Sequence, residues 1–416
     1  MNNFIRWITV SVFLLMPALI HAQSSTITLE KAVALFEENS LQQELAKLDA
    51  LRKKGEATRY KSYLNPEISV FREQLNAGTL DYQETTYQIS QPIELLGQPF
   101  LRSRSASRTK EAAELTYDYN RQQLINRVKW LYAEYWYLKN KVEIYDEAVA
   151  AIQEIRQAAA DRKEEGTVSG LELQRFNVAL SRYRKDRDEV RINLQQTGSK
   201  LRALIFTEPQ PTGAFNVQDT LRIRPPAAEK AVLIQQALQE RTDYEALNKL
   251  TEASDLQLKV EKRDRLPDLN VDFGYKNQSD GSEGFVIGGS IKVPIFNQNS
   301  GNVTIARAEA RSRQTSAQLK QLQIRNEVET AYQRVQLLME QWQSSQGQSI
   351  KPSFLETARF SYSEGAYSLV ELLDALQAYV EGRSITYETI SAYNQALYEL
   401  DLVSGGTLNS TLNTQN

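Results

Sequence analysis

Asn126-Arg127-Val128-Lys129-Trp130-Leu131-Tyr132 returns 200 residues later as Asn326-Glu327-Val328-Glu329-Thr330-Ala331-Tyr332, with Asn, Val and Tyr in the same places. Outward from that stretch the same plan is written twice. Glu165-Gly166, followed by Ser169 and Glu172, recurs as Glu364-Gly365, followed by Ser368 and Glu371. Gln91-Pro92-Ile93 recurs as Val293-Pro294-Ile295, and Leu64-Asn65-Pro66-Glu67 as Leu266-Pro267-Asp268. Each copy reads helix, two strands, very long helix, Gly-containing turn, helix. Such a repeat predicts a quasi-symmetric wall rather than a pocket enzyme.

The stretch lies inside a run from Phe100 to Glu165 that contains neither Gly nor Pro. As one helix it would be on the order of 100 Å long. Leu124, Val128, Leu131, Tyr135, Leu138, Val142, Tyr145, Val149 and Ile152 alternate steps of four and three, which is a heptad seam. Ile324, Val328, Ala331, Val335, Leu338 and Trp342 keep the phase in the second copy. A helix of that length needs neighbours along all of it, and each copy supplies an antiparallel partner. One runs from Leu171 to about Leu204 and the other from Leu369 to about Leu402. Gly166 and Gly365 read first of all as helix caps at the turns. Pro352 predicts a kink or a break in the second long helix.

Between the helices lie short alternating stretches. In Leu269-Asn270-Val271-Asp272-Phe273-Gly274-Tyr275 the odd positions are apolar and the even ones polar or small. Phe285 to Ile295 is its partner across a turn at 277–281, and the first copy gives Glu67 to Glu73 and Thr85 to Ile93. Strands apolar on one face suit a transmembrane β-barrel. A soluble sheet packed on a helix shows the same alternation; export and the long helices favour the barrel. Four strands leave unpaired edges that lipid does not tolerate, so several chains would share one barrel, and three copies would give twelve strands.

Arg6 followed by the apolar run Ile8 to Ile20 reads as a secretory signal, cleaved after Ala22. The domain reading is therefore 1–22 signal, 23–206 first repeat, 207–225 linker, 226–404 second repeat and 405–416 polar tail. The only histidine, His21, falls inside the signal, and the chain has no cysteine. A mature chain without either has no thiol nucleophile, imidazole base or soft metal site, so no catalytic residue, metal ligand or cofactor is expected. With 49 Lys and Arg against 52 Asp and Glu, nothing marks a nucleic-acid footprint. No later apolar stretch is long enough for a spanning helix.

These features resemble the TolC-like outer-membrane efflux proteins over nearly the whole mature chain. The resemblance is nearest to the CzcC-like branch of heavy-metal cation exporters. It is carried by Ile89-Ser90-Gln91-Pro92-Ile93-Glu94-Leu95-Leu96-Gly97-Gln98, by Leu266-Pro267-Asp268-Leu269, and by Val293-Pro294-Ile295-Phe296-Asn297-Gln298-Asn299-Ser300-Gly301-Asn302. It implies a mainly α fold with a small β part. Long antiparallel coiled-coil hairpins would form a periplasmic tunnel, and four strands per chain would join a trimeric transmembrane β-barrel. It also implies a passive homotrimeric duct in outer-membrane lipid, working with a periplasmic adaptor and an inner-membrane transporter. By the same resemblance Gly166, Thr167, Gly365 and Ala366 match adaptor-contacting tips. Glu371 and Asp374 match acidic positions of a tunnel constriction, where three copies would make charged rings. Glu172 is the first-copy counterpart, but Arg175 stands where a second acid would be, so Glu172 and Arg175 also read as a plain intrahelical pair. Asp268, Asn270, Asp272, Ser290 and Lys292 would line the barrel lumen, with no selectivity assigned to them.

Two other function classes fit parts of the chain. A soluble periplasmic coiled-coil adaptor or scaffold explains the helices but not the duplicated strands. A hydrolase using paired carboxylates is compatible with the acid content, yet no local context suggests such a site.

Overall fold

The computed structural model of the chain describes residues 25–59, 64–77, 80–94, 97–166, 168–206, 215–218, 220–226, 228–345 and 350–406. The expected signal 1–22, Thr167 and the tail beyond 406 lie outside the described residues.

The first repeat begins with β1 (Ser25–Ile27), α1 (Leu29–Asn39) and α2 (Leu41–Arg59). It continues through β2 (Glu67–Ala77), β3 (Leu80–Ile93), α3 (Gln98–Glu164) and α4 (Gly170–Ile205). After β4 (Phe215–Val217) the plan returns as α5 (Lys230–Glu240), α6 (Thr242–Arg263), β5 (Asp268–Gln278), β6 (Glu283–Lys292), α7 (Ser300–Ser345), α8 (Ser353–Ser363) and α9 (Leu369–Val403).

The heptad seam is the core. Val128, Leu131, Tyr132, Tyr135 and Leu138 of α3 pack with Leu201, Leu204 and Ile205 of α4, and with Phe36 of α1. Further along α3, Ile144, Val149, Ile152 and Ile155 meet Phe176 and Leu180 of α4 and Leu372, Leu376 and Tyr379 of α9. In the second repeat Ile324, Val328, Ala331 and Val335 of α7 meet Leu233 of α5 and Tyr393 and Leu400 of α9. Gly198 lets α4 come close to α3, since a Cβ there would stand 2.9 Å from the Tyr135 ring. None of the described helices is long and apolar enough to cross a membrane.

β2, β3, β5 and β6 form one antiparallel sheet in that order, so the two hairpins join along β3 and β5. β2 and β6 are its outer strands. The register collects most of the apolar side chains on one face. Its rows are Ile68–Ile89–Phe273–Ile287, Val70–Tyr87–Tyr275–Phe285 and Ile93–Leu269–Ile291. The opposite face carries Glu67–Ser90–Asp272–Gly288 and Pro92–Asn270–Ser290. Ile68, Phe285, Ile287 and Ile291 are all exposed in the single chain.

Several details differ from the sequence reading. The first hairpin is longer than its alternation predicts, reaching Ala77 and restarting at Leu80, because backbone pairing continues through Glu73–Glu84 and Gln74–Gln83, pairs without an apolar side chain that break the alternation. β6 stops at Lys292 rather than Ile295: Pro294 has no N–H to give, and the Ile295 N–H turns to the Val293 carbonyl. The second long helix is two helices, α7 ending at Ser345 and α8 starting after Pro352. The helix before each pair of strands is also broken, by one extended residue. Ser40 (φ −71°, ψ 118°) does this in the first repeat and Arg241 (φ −68°, ψ 114°) in the second. Within the expected linker, β4 pairs in parallel with β1, and the Tyr132 hydroxyl donates to the Ile27 carbonyl at 2.9 Å.

Candidate functional site

Both hairpin turns are closed by the same local chemistry. At the end of α3 the Gly166 N–H reaches the Lys163 carbonyl at 3.0 Å, and at the end of α8 the Gly365 N–H reaches Tyr362 at 3.1 Å. Gly166 (φ 77°) and Gly365 (φ 75°) are left-handed, the conformation that ends a helix and favours glycine. A Cβ at either would meet nothing within 4 Å, so the backbone angle and not crowding requires Gly. The Ala366 N–H bonds back to the Ser361 carbonyl at 2.8 Å. The next helices are capped by hydroxyls: Ser169 accepts from the Glu172 N–H at 3.1 Å and Ser368 from the Glu371 N–H at 3.3 Å.

The acidic residues expected to act together have three different environments. Glu371 completes a capping box, its carboxylate accepting from the Ser368 N–H at 2.7 Å and from the Ser368 hydroxyl at 2.8 Å. Those bonds, the backbone one first, hold its carboxyl below the usual glutamate range. Asp374, one turn on, is exposed on the same side of α9. Glu172 does not pair with Arg175 as the intrahelical reading had it. Instead it accepts from the Tyr362 hydroxyl of the other hairpin at 2.7 Å. Burial, reinforced by this bond, pushes the Tyr362 hydroxyl up in pKa. Tyr362 also packs edge-on against Phe176, with ring centroids 5.8 Å apart. Arg162 of α3 donates to the Ser363 carbonyl at 3.1 Å, and Arg359 of α8 pairs with Glu154 of α3. The two turns are therefore held side by side. A groove between them is lined by Arg162, Glu172, Arg175, Tyr362, Gly365 and Tyr367.

The sheet residues share the polar face. Asp268 stands opposite Lys292, the Asn270 amide points to the Ser290 hydroxyl at 3.4 Å, and Asp272 accepts from the Ser90 hydroxyl. The sequence reading missed a second group on that face. Glu84 pairs with Lys276 and accepts from the Tyr82 hydroxyl and the Gln278 amide, each at 2.9 Å. Alternation through Tyr82, Glu84, Thr86, Gln88 and Ser90 was the signal available. At the sheet–helix junction Glu94 pairs with Arg102.

A buried ionic group was also missed. The Arg241 side chain, 1 % exposed at the α5–α6 break, pairs with Asp243 at 2.7 Å and with Glu327 of α7, and lies over the Tyr119 ring. Lys320 completes it, 2.7 Å from Asp243. Burial alone would lower the Arg241 pKa, but hydrogen bonds to Asp243 and Glu327 outweigh it and hold it raised. Burial likewise pulls the Asp243 carboxyl up, and bonds from Arg241 and Lys320 bring it below the usual range. No cluster of potential metal ligands occurs among the described residues.

The chain is similar to known proteins along most of its length. The family model for outer membrane efflux proteins matches residues 33–205 and 233–406. The cobalt-zinc-cadmium resistance protein CzcC of Cupriavidus metallidurans is 23 % identical over 400 residues, covering 94 % of this chain and 93 % of CzcC. The nickel and cobalt resistance protein CnrC of the same organism is 25 % identical over 281 residues, 64 % of this chain and 66 % of CnrC. Among solved structures, CusC superposes with a TM-score of 0.77 at 18 % identity, covering 91 % of this chain and 92 % of CusC. The Campylobacter jejuni CmeC outer membrane channel gives 0.79 at 17 % identity, covering 92 % of this chain and 88 % of CmeC. The two structural likenesses establish the fold.

Proposed function

The chain belongs to the outer membrane efflux protein family, and we propose that it is the exit duct of a pump that exports divalent heavy-metal cations. Its role is that of an outer-membrane channel in a tripartite efflux system, and it is not an enzyme. Family members form trimers that work with an adaptor and an inner-membrane transporter. For this chain the trimer and its partners are part of the proposal.

The observation that carries it is the sheet. One face gathers the rows of Ile, Phe, Tyr, Val and Leu, interrupted by Gln91, the other is mostly polar, and among the described residues the two outer strands lack a neighbour. Lipid outside, water inside and other copies at the edges accommodate all three. A soluble scaffold would leave Ile68, Phe285, Ile287 and Ile291 in water. The metal cargo is supported by the cobalt, zinc, cadmium and nickel resistance proteins to which the chain is similar. In this reading Gly166, Thr167, Gly365 and Ala366 present the tips to the adaptor. Glu172, Glu371 and Asp374 narrow the tunnel above them, and Asp268, Asn270, Asp272 and Lys292 wet the barrel lumen. Selection of the metal belongs to the transporter.

The test is export in the native host. Deleting the gene should raise cell-associated cobalt, zinc or cadmium and lower the tolerated concentration, and the intact chain should restore both. Unchanged metal content with all three would reject the cargo.

A further inference from the structure

The two outer strands carry complementary features on the polar face. On β2, Phe71 and Leu75 are 60 % and 53 % exposed, large apolar side chains on the face turned to water. On β6, the same face has no side chain at Gly284 and Gly288. The ends differ in charge: β2 begins at Glu67 and β6 ends at Lys292, both on that face. Resting on the reading that three copies share one barrel, we infer that β2 of one copy pairs with β6 of the next in a single register. In that register Phe71 lies on Gly288, Leu75 on Gly284, and Glu67 faces Lys292.

Four constraints select this seam. First, β2 and β6 run in opposite directions within the sheet, so β6 meets the β2 of a neighbour antiparallel. Second, rows followed across one copy join Glu67 to Gly288 and Phe71 to Gly284, so the seam displaces the row by the four residues from Glu67 to Phe71. Only even displacements keep polar face beside polar face. Third, displacement sets tilt. With strands rising about 3.3 Å per residue and lying about 4.8 Å apart, four residues per four strands gives about 35°. Displacements of zero or two are too flat for a barrel, whose strands tilt by about 35–45°. Fourth, displacement by four gives every residue of β6, from Glu283 to Lys292, a partner on β2. A displacement of six sets Phe71 against Ser290 and leaves Glu67 without a partner. Four in the opposite sense sets Phe71 against Asp280, beyond the end of β6. An aromatic ring laid over a cross-strand glycine covers backbone that the glycine leaves open, and it fixes register.

The chain contains no cysteine, so paired cysteines report the seam without background. Phe71→Cys with Gly288→Cys, oxidised in outer membranes, should give disulfide-linked dimers and trimers on denaturing gels. Phe71→Cys with Gly284→Cys tests zero displacement, and Phe71→Cys with Ser290→Cys tests six. Faster cross-linking in either control, in a protein of trimeric mass in detergent, overturns the register. A monomeric mass instead overturns the shared barrel on which it rests, so the two failures are distinguishable. A second series covers cysteine variants that do not assemble. Glu67→Lys and Lys292→Glu should each lower the temperature at which the oligomer dissociates, and the double exchange should recover most of the loss. A double variant no better than the singles overturns the pairing.

Discussion

The Tyr362 hydroxyl donates to the Glu172 carboxylate at 2.7 Å, and that bond runs from the second hairpin to the first. Phe176, one turn after Glu172, supports the same ring. The tips of two separate repeats are thus tied where each helix pair turns back, together with Arg162–Ser363 and Arg359–Glu154. Tyr362→Phe removes the bond and keeps the ring. A hydrogen bond to a charged group contributes about 1.5–3 kcal/mol, so the tips should loosen while the rest of the chain holds. Hydrogen exchange should quicken at residues flanking Gly166 and Gly365 and stay unchanged along β2–β6. Equal protection in both proteins would remove the tie from the account.

Glu371 and Asp374 should separate in function because their surroundings differ. Glu371 is engaged in a cap, whereas Asp374 has its carboxylate in solvent. Asp374→Asn should reduce the preference for cations in planar bilayers. Glu371→Gln should cost about 1 kcal/mol of local helix stability and change selectivity less. Identical reversal potentials for Asp374→Asn and the wild type would exclude Asp374 from the constriction.

Gly365 is required by its φ of 75°, not by lack of room. Asn tolerates that angle and a β-branched residue does not. Gly365→Asn should therefore keep metal resistance, while Gly365→Val should lose it with the trimer intact. Full resistance in the Val variant would show that the turn geometry is dispensable for coupling to the pump.

The Arg241 group gives an acid dependence with a definite sign. The Asp243 carboxyl is held below its usual value in the folded chain, so its contribution is complete above about pH 4. It is lost as pH falls through the folded value. Asp243→Asn should lower stability at neutral pH and flatten the loss below pH 4. Arg241→Ala, which leaves Asp243 with Lys320 alone and removes the partner of the half-exposed Glu327, should cost about 1–3 kcal/mol. Thermal unfolding followed from pH 7 to pH 3 measures both; parallel curves for wild type and Asp243→Asn would contradict the assignment.

What the sequence made legible followed from periodicity. Leu124 to Ile152 announced the seam because a buried stripe on a long helix must repeat every three or four residues. Leu269 to Tyr275 announced a two-faced strand in the same way. Features without a period stayed hidden. β1 and β4 are three residues each and pair across the whole first repeat. The breaks at Ser40 and Arg241 involve neither Gly nor Pro. The partners of Glu172 come from a different hairpin, so the local Glu172–Arg175 spacing pointed to the wrong neighbour. Glu84 and Lys276 meet only because β3 of one repeat lies beside β5 of the other.

In the function proposed above, copies of this chain pool their strands into one membrane-spanning pore. Planar-bilayer recording of the purified outer-membrane protein, with its mass measured in the same detergent, tests it most directly. A trimeric mass and stepwise ion conductance are expected. A water-soluble monomer that adds no conductance to the bilayer would contradict it.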